Sequence, residues 1–421
     1  MPRESGDPAA IDDTSIPDGV GVDASRHTDS FDASRAGPLQ GVRVLDLSRL
    51  VAGNMASLQL ADFGADVIKI EHPEKGDDLR RWRVDGTDVY WKIYGRNKRS
   101  MALNIREDAG RKAFIALVKS AHVLMENFLP GTLEKWDLSP ETLHGINPKL
   151  IILRISGWGQ TGPFRNKPGF GTLVEAMSGF ASLNGWDDRP PLLPPLAMAD
   201  MIAGIYGANA VLCALRAIET GGESGQIIDL SLLEPIFSLI SSEALRYQIS
   251  GELTPRAGNQ ASHTAPRNVY ACRDGKFLAL SGSMQSMAER IFDTIGRPEL
   301  KTDPKFQTND VRVANRDELN EIIGNFVDAR DLDENLELFE EAGVTVAPVL
   351  DMRDVLHNDY MNDRGVIAHL PDEQLGSIAM HNIVPRLSKT PGHFRRPAPG
   401  LGEHTAEVLD ELSATRADEG S

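Results

Sequence analysis

The chain has 421 residues, 41% of them hydrophobic and 25% charged, which is globular composition with length for two or three domains. Its formal net charge of −17 excludes broad nucleic-acid binding, because no global positive field attracts a phosphate backbone. No stretch reaches the ~18 to 20 consecutive apolar residues of a membrane span, and the start, MPRESGDPAAIDD, lacks the basic and apolar regions of a signal peptide. A cytoplasmic protein without a membrane segment is expected.

Residues 1–37 are rich in Asp, Ser, Gly and Pro without an apolar period, which predicts a disordered acidic tail. From Leu39 the pattern becomes GVRVLDLS, a strand, VAGNMASLQLADFGA, a helix, and DVIKIEH, a second strand. The alternation resumes with the strand MALNI, a helix over EDAGRKAFIALVKSA, the strand HVLMENF, a helix over SPETLHGIN and the strand LIILRIS. Repeated βα units predict a parallel sheet covered by helices.

A long apolar helix is expected from Met201 to Glu219, ending at Gly221 and Gly222, then the strand QIIDLSL and a helix from Leu233 into Tyr247. Near Arg256 the texture shifts. NVYACRDGKFLALSG reads as two strands joined at Asp274 and Gly275, and helical patterns over SMAERIFDTIG, RDELNEIIGNFV and ENLELFEEAG complete a smaller α+β unit. TAEVLDEL is a final amphipathic helix.

Several motifs carry competing meanings. Gly157-Trp158-Gly159-Gln160-Thr161-Gly162 fits the dinucleotide fingerprint, but Pro163 follows at once and no helix opens, so a glycine turn at a strand end is the reading. The run Arg96-Asn97-Lys98-Arg99, with Lys69, Lys75, Arg80, Arg81 and Arg83, is either a phosphate-binding cluster at strand ends or a solvated surface run. Cys213 and Cys272 lie far apart in apolar surroundings and read as buried, reduced thiols. The ten His residues show no paired-ligand spacing, no nucleophile elbow or Walker loop is present, and no metal is expected.

Asp200 is the most informative carboxylate, because it interrupts the apolar and small-residue run PLLPPLAMADMIAGIYGANA. It fits the N-cap of the helix at Met201. It also fits a nucleophile able to attack a thioester carbonyl, with Ala199, Ala203 and Gly204 leaving room for a bulky adduct.

Nine segments in order, GVRVLDLSRLVAG, LADFGADVIKIEHPEKGD, YGRNKRSMALNI, MENFLPGTLEKW, ISGWGQTGP, ADMIAGIYGANAVLCAL, GQIIDLSL, GVTVAPVLDM and LGEHTAEVL, carry a resemblance. From Pro38 to Leu412 the sequence resembles the class III CoA-transferases of the CaiB/BaiF type, the family of formyl-CoA and carnitine CoA-transferases. The resemblance implies an α/β fold with a large doubly wound, Rossmann-like parallel-sheet domain, a smaller α+β domain, and two subunits interlocked as a homodimer. It divides the chain into a tail (1–37), a large CoA-binding domain (38–231), a helical linker (232–256), a small domain (257–365) and a return to the large domain (366–415).

The same resemblance implies that Asp200 is the catalytic carboxylate, carrying acyl and CoA groups in turn through mixed anhydrides and an aspartyl-CoA thioester. Coenzyme A and its acyl thioesters are then substrates, not tightly bound cofactors, and the partners are an acyl-CoA donor and a small carboxylic acid acceptor. Implied CoA contacts fall on Val51, Ala52, His72, Leu103, Asn104, Ile105, Arg106, Asn127, Phe128, Leu129, Lys135, Pro168, Gly169, Phe170 and Gly171. Arg96, Arg99 and Arg267 are candidates, by charge alone, for holding the second carboxylate of a dicarboxylic substrate.

Departures narrow the reading. Val51 stands where members of the family carry Gln, Gly171 where the formyl-CoA branch carries Glu, and only NQASHTAPRN precedes Val269 where that branch has a glycine-rich flap. Formate and oxalate are therefore not the expected substrates. The related α-methylacyl-CoA racemases use a His at the position of Phe170, which disfavours the racemase alternative. A CoA-binding protein without turnover is the non-enzymatic alternative.

Overall fold

The computed structural model describes residues 29–419, with side chains through residue 414. Six parallel strands form the main sheet: β1 (Arg43–Asp46), β2 (Asp66–Glu71), β3 (Lys98–Ala102), β4 (Val123–Glu126), β5 (Ile151–Ser156) and β6 (Ile227–Ser231). Their order is β3-β2-β1-β4-β5-β6, so the sheet is doubly wound and its direction of winding reverses between β1 and β4. Loops leaving the carboxyl ends of those two strands diverge and open a crevice.

The helices that bear on the site are α1 (Leu50–Asp62), α2 (Asp108–Ser120), α3 (Gly171–Met177), α4 (Met198–Gly221) and α5 (Leu233–Ser250). Strand residues alternate between the two faces. Val44, Val67, Val123, Ile151 and Leu153 pack under α1 and α4, whereas Leu45, Ile68, Leu124 and Ile152 pack against Phe114 and Leu117 of α2. Apolar runs with no polar face are what a sheet covered on both sides requires.

Helix α4 lies along α1 at close range. A β-carbon on Gly204 would stand 2.6 Å from Met55 Cβ, and Ala199 and Ala203 are fully buried. These small residues serve helix packing, which corrects the expectation that they make room for an adduct. Among the described residues α4 is the helix long and apolar enough to cross a membrane, three residues longer at its start than the long apolar helix expected from Met201; it packs against α1 and β5.

A second, antiparallel sheet of β7 (Arg267–Ala271), β8 (Phe277–Ser281) and β9 (Val346–Pro348) turns at Gly275, which has φ 78°, as the hairpin reading expected. Tyr270, Leu278 and Leu280 pack there on Phe292, Ile323 and Phe339. A third sheet, the hairpin β10 (Ile367–Asp372) and β11 (Gly376–His381), was not anticipated. Glu407 and Glu411, on the C-terminal helix Thr405–Glu419, pair with Arg99 of β3 and bring the chain's end back to the main sheet.

Of the stretch expected to be disordered, residues 1–28 lie outside the described residues. Residues 29–37 are ordered: Asp29 N donates to His369 O at 2.8 Å, Asp32 N donates to Phe394 O at 3.0 Å, and Phe31 packs with Ala368 and Leu370. One aromatic side chain and a partner strand supply what composition alone did not show. Cys272 is buried as expected, but Cys213 is exposed on α4.

Candidate active site

The crevice is built from the switch point outward. Asn127, just past β4, accepts from Arg49 N at 2.8 Å and donates Nδ2 to Arg49 O at 2.7 Å, so it joins the loops that follow β1 and β4. Leu50 adopts a positive φ of 60°, uncommon for a residue with a β-carbon. Its N–H is held by Asp77 Oδ1 at 2.9 Å. The other Asp77 oxygen accepts from Asn54 Nδ2 at 2.7 Å and faces Lys69 Nζ at 2.9 Å.

Below this turn lies a buried charge cluster. Lys69 Nζ also lies 3.2 Å from Asp46 Oδ1, and Lys98 Nζ lies 3.7 Å from Asp46 Oδ2 and 2.9 Å from Asn54 Oδ1. Burial works against the charge on Asp46, but Lys69 and Lys98, together with the Ser48 and Ser57 hydrogen bonds, hold its pKa below the usual carboxylate value. Burial, with repulsion from Lys69, brings the Lys98 ammonium down to about 8 despite the nearby Asp46 and Asp77.

The basic run thus divides: Lys69, Arg80, Arg96, Lys98 and Arg99 are held in ion pairs or hydrogen bonds inside the fold, whereas Lys75, Arg81 and Arg83 are exposed. Arg96 pairs with both oxygens of Asp62 at 3.1 and 2.6 Å, and Arg99 pairs with Asp66 at 2.7 Å and with Glu407 at 2.9 Å. Arg80 pairs with Glu71 at 2.8 Å and stacks 3.7 Å above the Trp91 ring. Arg83 donates to Arg80 O at 3.2 Å. Arg96 and Arg99 are therefore already committed and do not hold a substrate carboxylate. Arg267 is exposed at the start of β7 and lines neither cavity described next.

Two adjacent cavities, sharing part of their walls, occupy the crevice. The larger, about 660 Å³, is lined by Leu47–Arg49, Ile70–His72, Lys75–Asp78, Leu103–Arg106, Phe128, Leu129, Thr132 and Trp136. The smaller, about 360 Å³, shares Arg49, Asp78, Phe128 and Leu129 with it and continues past Ala52, Asn127 and Pro168–Phe170 to Asp200. The basic side chains Lys75, Arg81, Arg106 and Arg49 border the larger one, with Asp78 facing Arg81 at 3.3 Å.

His72, Leu103, Asn104, Ile105, Arg106, Phe128 and Leu129 thus line the larger cavity, and Ala52, Asn127, Pro168, Gly169 and Phe170 line the smaller one with Asp200. Three expected positions line neither. Val51 is buried against Leu58, Leu79 and Trp91. Lys135 is exposed at the end of the short helix Thr132–Lys135, whose Thr132 borders the larger cavity. Gly171 lies beneath the Asp200 carboxylate.

The loop 157–170 walls the smaller cavity. Gly159 and Gly162 take φ of 86° and 80°, and no helix opens after β5, as the glycine-turn reading expected. Its ends touch: a β-carbon on Gly157 would stand 2.6 Å from Gly169 Cα, and Trp158 Nε1 donates to Pro168 O at 3.1 Å.

Asp200 lies in the first turn of α4, which starts three residues earlier than expected, so it is not the N-cap; that position is Ala197. Its carboxylate lies against the backbone of Gly171, where a β-carbon would stand 2.2 Å from Oδ2. Burial raises its pKa to about 6, the negative Glu175 adds to the rise, and the backbone N–H groups of Asp200 and Gly171 oppose it. Glu175, on α3, is 2% exposed and accepts from Ala199 N at 3.0 Å. The sequence reading missed Glu175, although an acid within GTLVEAMSGF is the same signal that singled out Asp200.

A buried, basic carboxylate at the end of a long crevice can attack an electrophilic carbonyl and be acylated. Among the described residues no group of three or more His, Cys, Asp or Glu could hold a metal ion.

Comparison with known proteins places this arrangement. Residues 39–405 match the model of CoA-transferase family III. The chain is 37% identical over 385 residues to a succinyl-CoA–D-citramalate CoA-transferase of Chloroflexus aurantiacus, covering 91% of this chain and 96% of that one. It is 36% identical to a succinate–glutarate CoA-transferase of Agrobacterium fabrum (90% and 96% covered) and 33% identical to the human succinyl-CoA:glutarate CoA-transferase (90% and 87%). A crystal structure of a CaiB/BaiF family protein from Brucella suis superposes with a TM-score of 0.78 at 32% identity, over 90% of this chain and all of that one. The chain is a CoA-transferase and belongs to CoA-transferase family III.

Proposed function

We propose that the protein transfers coenzyme A from succinyl-CoA or a similar short acyl-CoA to a small, dicarboxylic-type acid, with Asp200 as the covalent carrier. The observation that carries this reading is the placement of Asp200, which borders the smaller cavity while that cavity shares the wall residues Arg49, Asp78, Phe128 and Leu129 with the larger one at the sheet's switch point. The nucleotide of CoA belongs in the larger cavity among Lys75, Arg81 and Arg106, and the thioester belongs in the smaller. The activities of these relatives, all of which exchange CoA between succinate and another dicarboxylic acid, support the substrate class.

In the first step an Asp200 oxygen bonds to the donor's carbonyl carbon, the C–S bond breaks, and the electron pair leaves on the CoA thiolate. The thiolate then attacks the Asp200 carbonyl carbon of the mixed anhydride and releases the donor acid as its carboxylate. The acceptor carboxylate attacks the resulting aspartyl thioester, the thiolate leaves again, and its return to the acceptor's acyl carbon restores the Asp200 carboxylate. Charge passes between oxygen and sulfur throughout, and no proton or redox partner is required.

Phe170 in the cavity wall stands against a racemase, which needs a second acid/base opposite Asp200. A homodimer belongs to the same proposal. Ile205 and Leu212 on α4, and Phe237, Leu239, Leu245 and Ile249 on α5, are apolar and exposed in the single chain.

The test is steady-state transfer from succinyl-CoA to a panel of mono- and dicarboxylic acids, followed by separation of the acyl-CoA products. Asp200→Ala is expected to fold and to lose transfer by roughly 10³-fold or more, as removal of a covalent nucleophile does. Near-normal transfer by that variant contradicts the role of Asp200.

A further inference from the structure

Helices α3 and α4 meet at their first turns: the Asp200 carboxylate on α4 lies against Gly171, the first residue of α3, and Ala199, in the first turn of α4, gives its N–H to Glu175 on α3 at 3.0 Å. The N-cap of α4, Ala197, has no side-chain acceptor, so without Glu175 the Ala199 N–H is left without its carboxylate acceptor.

A neutral acceptor would satisfy that N–H equally well. The residue present is instead a buried carboxylate next to a second carboxylate, with no basic partner among the described residues. For stability alone this is a poor choice, since like charges in a low-dielectric site repel. The cost is accounted for if the charge acts on the reaction.

We propose that Glu175 is a positioning residue for CoA transfer: it holds the first turn of α4 so that the Asp200 carboxylate stays against Gly171 and faces the cavity, and its negative charge favours the neutral, acylated forms of Asp200. This rests on Asp200 being the nucleophile. In the mixed anhydride and in the aspartyl thioester Asp200 carries no charge, because the bond formed to carbon removes it and the thiolate or the released acid takes the electron pair. Repulsion from Glu175 is present before acylation and relieved after it, so it lowers the barrier to acylation.

The Asp200 pKa of about 6, with Glu175 as the second cause after burial, agrees with that arrangement. The other charged groups bordering the cavity are Arg49, Asp78, Arg165 and Lys167, on the loops after β1, β2 and β5. They are unchanged in the variants below.

The experiment compares wild type, Glu175→Gln and Glu175→Ala. Circular dichroism checks folding, and quenched intact-protein mass spectrometry follows formation of the CoA adduct from succinyl-CoA between pH 5 and 9. Glu175→Gln keeps an acceptor for Ala199 N–H and removes the charge. Its acidic limb is expected to move to lower pH, its adduct yield to fall, and its rate above pH 7 to drop about tenfold, which is about 1.4 kcal/mol. Glu175→Ala is expected to lose more, because the helix end is then also uncapped.

If Glu175→Gln keeps the wild-type limb, yield and rate, or slows uniformly without moving the limb, the proposal is overturned. If wild type itself forms no adduct while Asp200→Ala retains transfer, it is the nucleophile reading that fails instead.

Discussion

Oδ2 of Asp200 occupies the place that a side chain on residue 171 would need: a β-carbon built on Gly171 stands 2.2 Å from it. The first helical residue of α3 therefore has to be glycine while Asp200 keeps this place. Gly171→Ala is expected to displace Asp200 and to lower kcat by about 10²-fold, the effect of a displacement on the order of 1 Å at a reacting group. Strain at the α3–α4 contact should cost about 1–3 kcal/mol. A crystal structure of the variant should show Asp200 moved, and unchanged kcat with unchanged Asp200 would contradict this.

Asp200 should also make stability depend on pH in the unusual direction. Its folded pKa, about 6, lies above the ordinary 3.8, so the folded state binds the proton more tightly than the unfolded chain. The penalty from its buried charge is present above pH 6, shrinks as pH falls through 6, and is gone below 3.8. Asp200→Asn is thus expected to be more stable than wild type at pH 7.5, by on the order of 1–2 kcal/mol after allowance for solvent screening. The difference should close near pH 4, which denaturant titrations at the two pH values would read directly.

Transfer itself requires the Asp200 carboxylate, so kcat/KM should fall as pH drops below about 6.

Asp77 joins the Leu50 turn to the buried Lys69. Asp77→Ala leaves Lys69 short of one counter-charge and frees a turn that borders both cavities. A loss of roughly 3–5 kcal/mol is expected from breaking a buried pair, together with a raised KM for acyl-CoA. Urea unfolding and steady-state kinetics check the two parts separately.

Phe170 supplies no proton relay. Incubation of the protein with a 2-methylacyl-CoA in deuterated water is expected to leave the α-proton in place by NMR. Exchange at a rate comparable to CoA transfer would return the racemase reading.

The main sheet was legible because parallel strands covered on both faces are short apolar runs separated by helical periods, as in RVLD, DVIKIE and IILRIS. Asp200 was legible for the opposite reason, as a charge in an apolar run. What sequence order hides is pairing across strands. Lys98 and Arg99 read as surface or ligand-binding charges, yet β3 places them beside Asp46 and Asp66, carboxylates that come from distant parts of the chain. The same limit concealed Glu175, whose meaning depends on Ala199, 24 positions later, and the hairpin β10–β11, whose packing partners Phe31 and Phe63 lie more than 300 residues earlier.

The measurement that bears most directly on the proposed chemistry is intact-protein mass spectrometry after mixing the protein with succinyl-CoA in the absence of an acceptor. Covalent relay predicts a mass gain of one CoA on wild type, mapped to the peptide containing Asp200 and lost in Asp200→Ala. Transfer that proceeds at full rate with no adduct at any quench time, or an adduct that persists in Asp200→Ala, would contradict it.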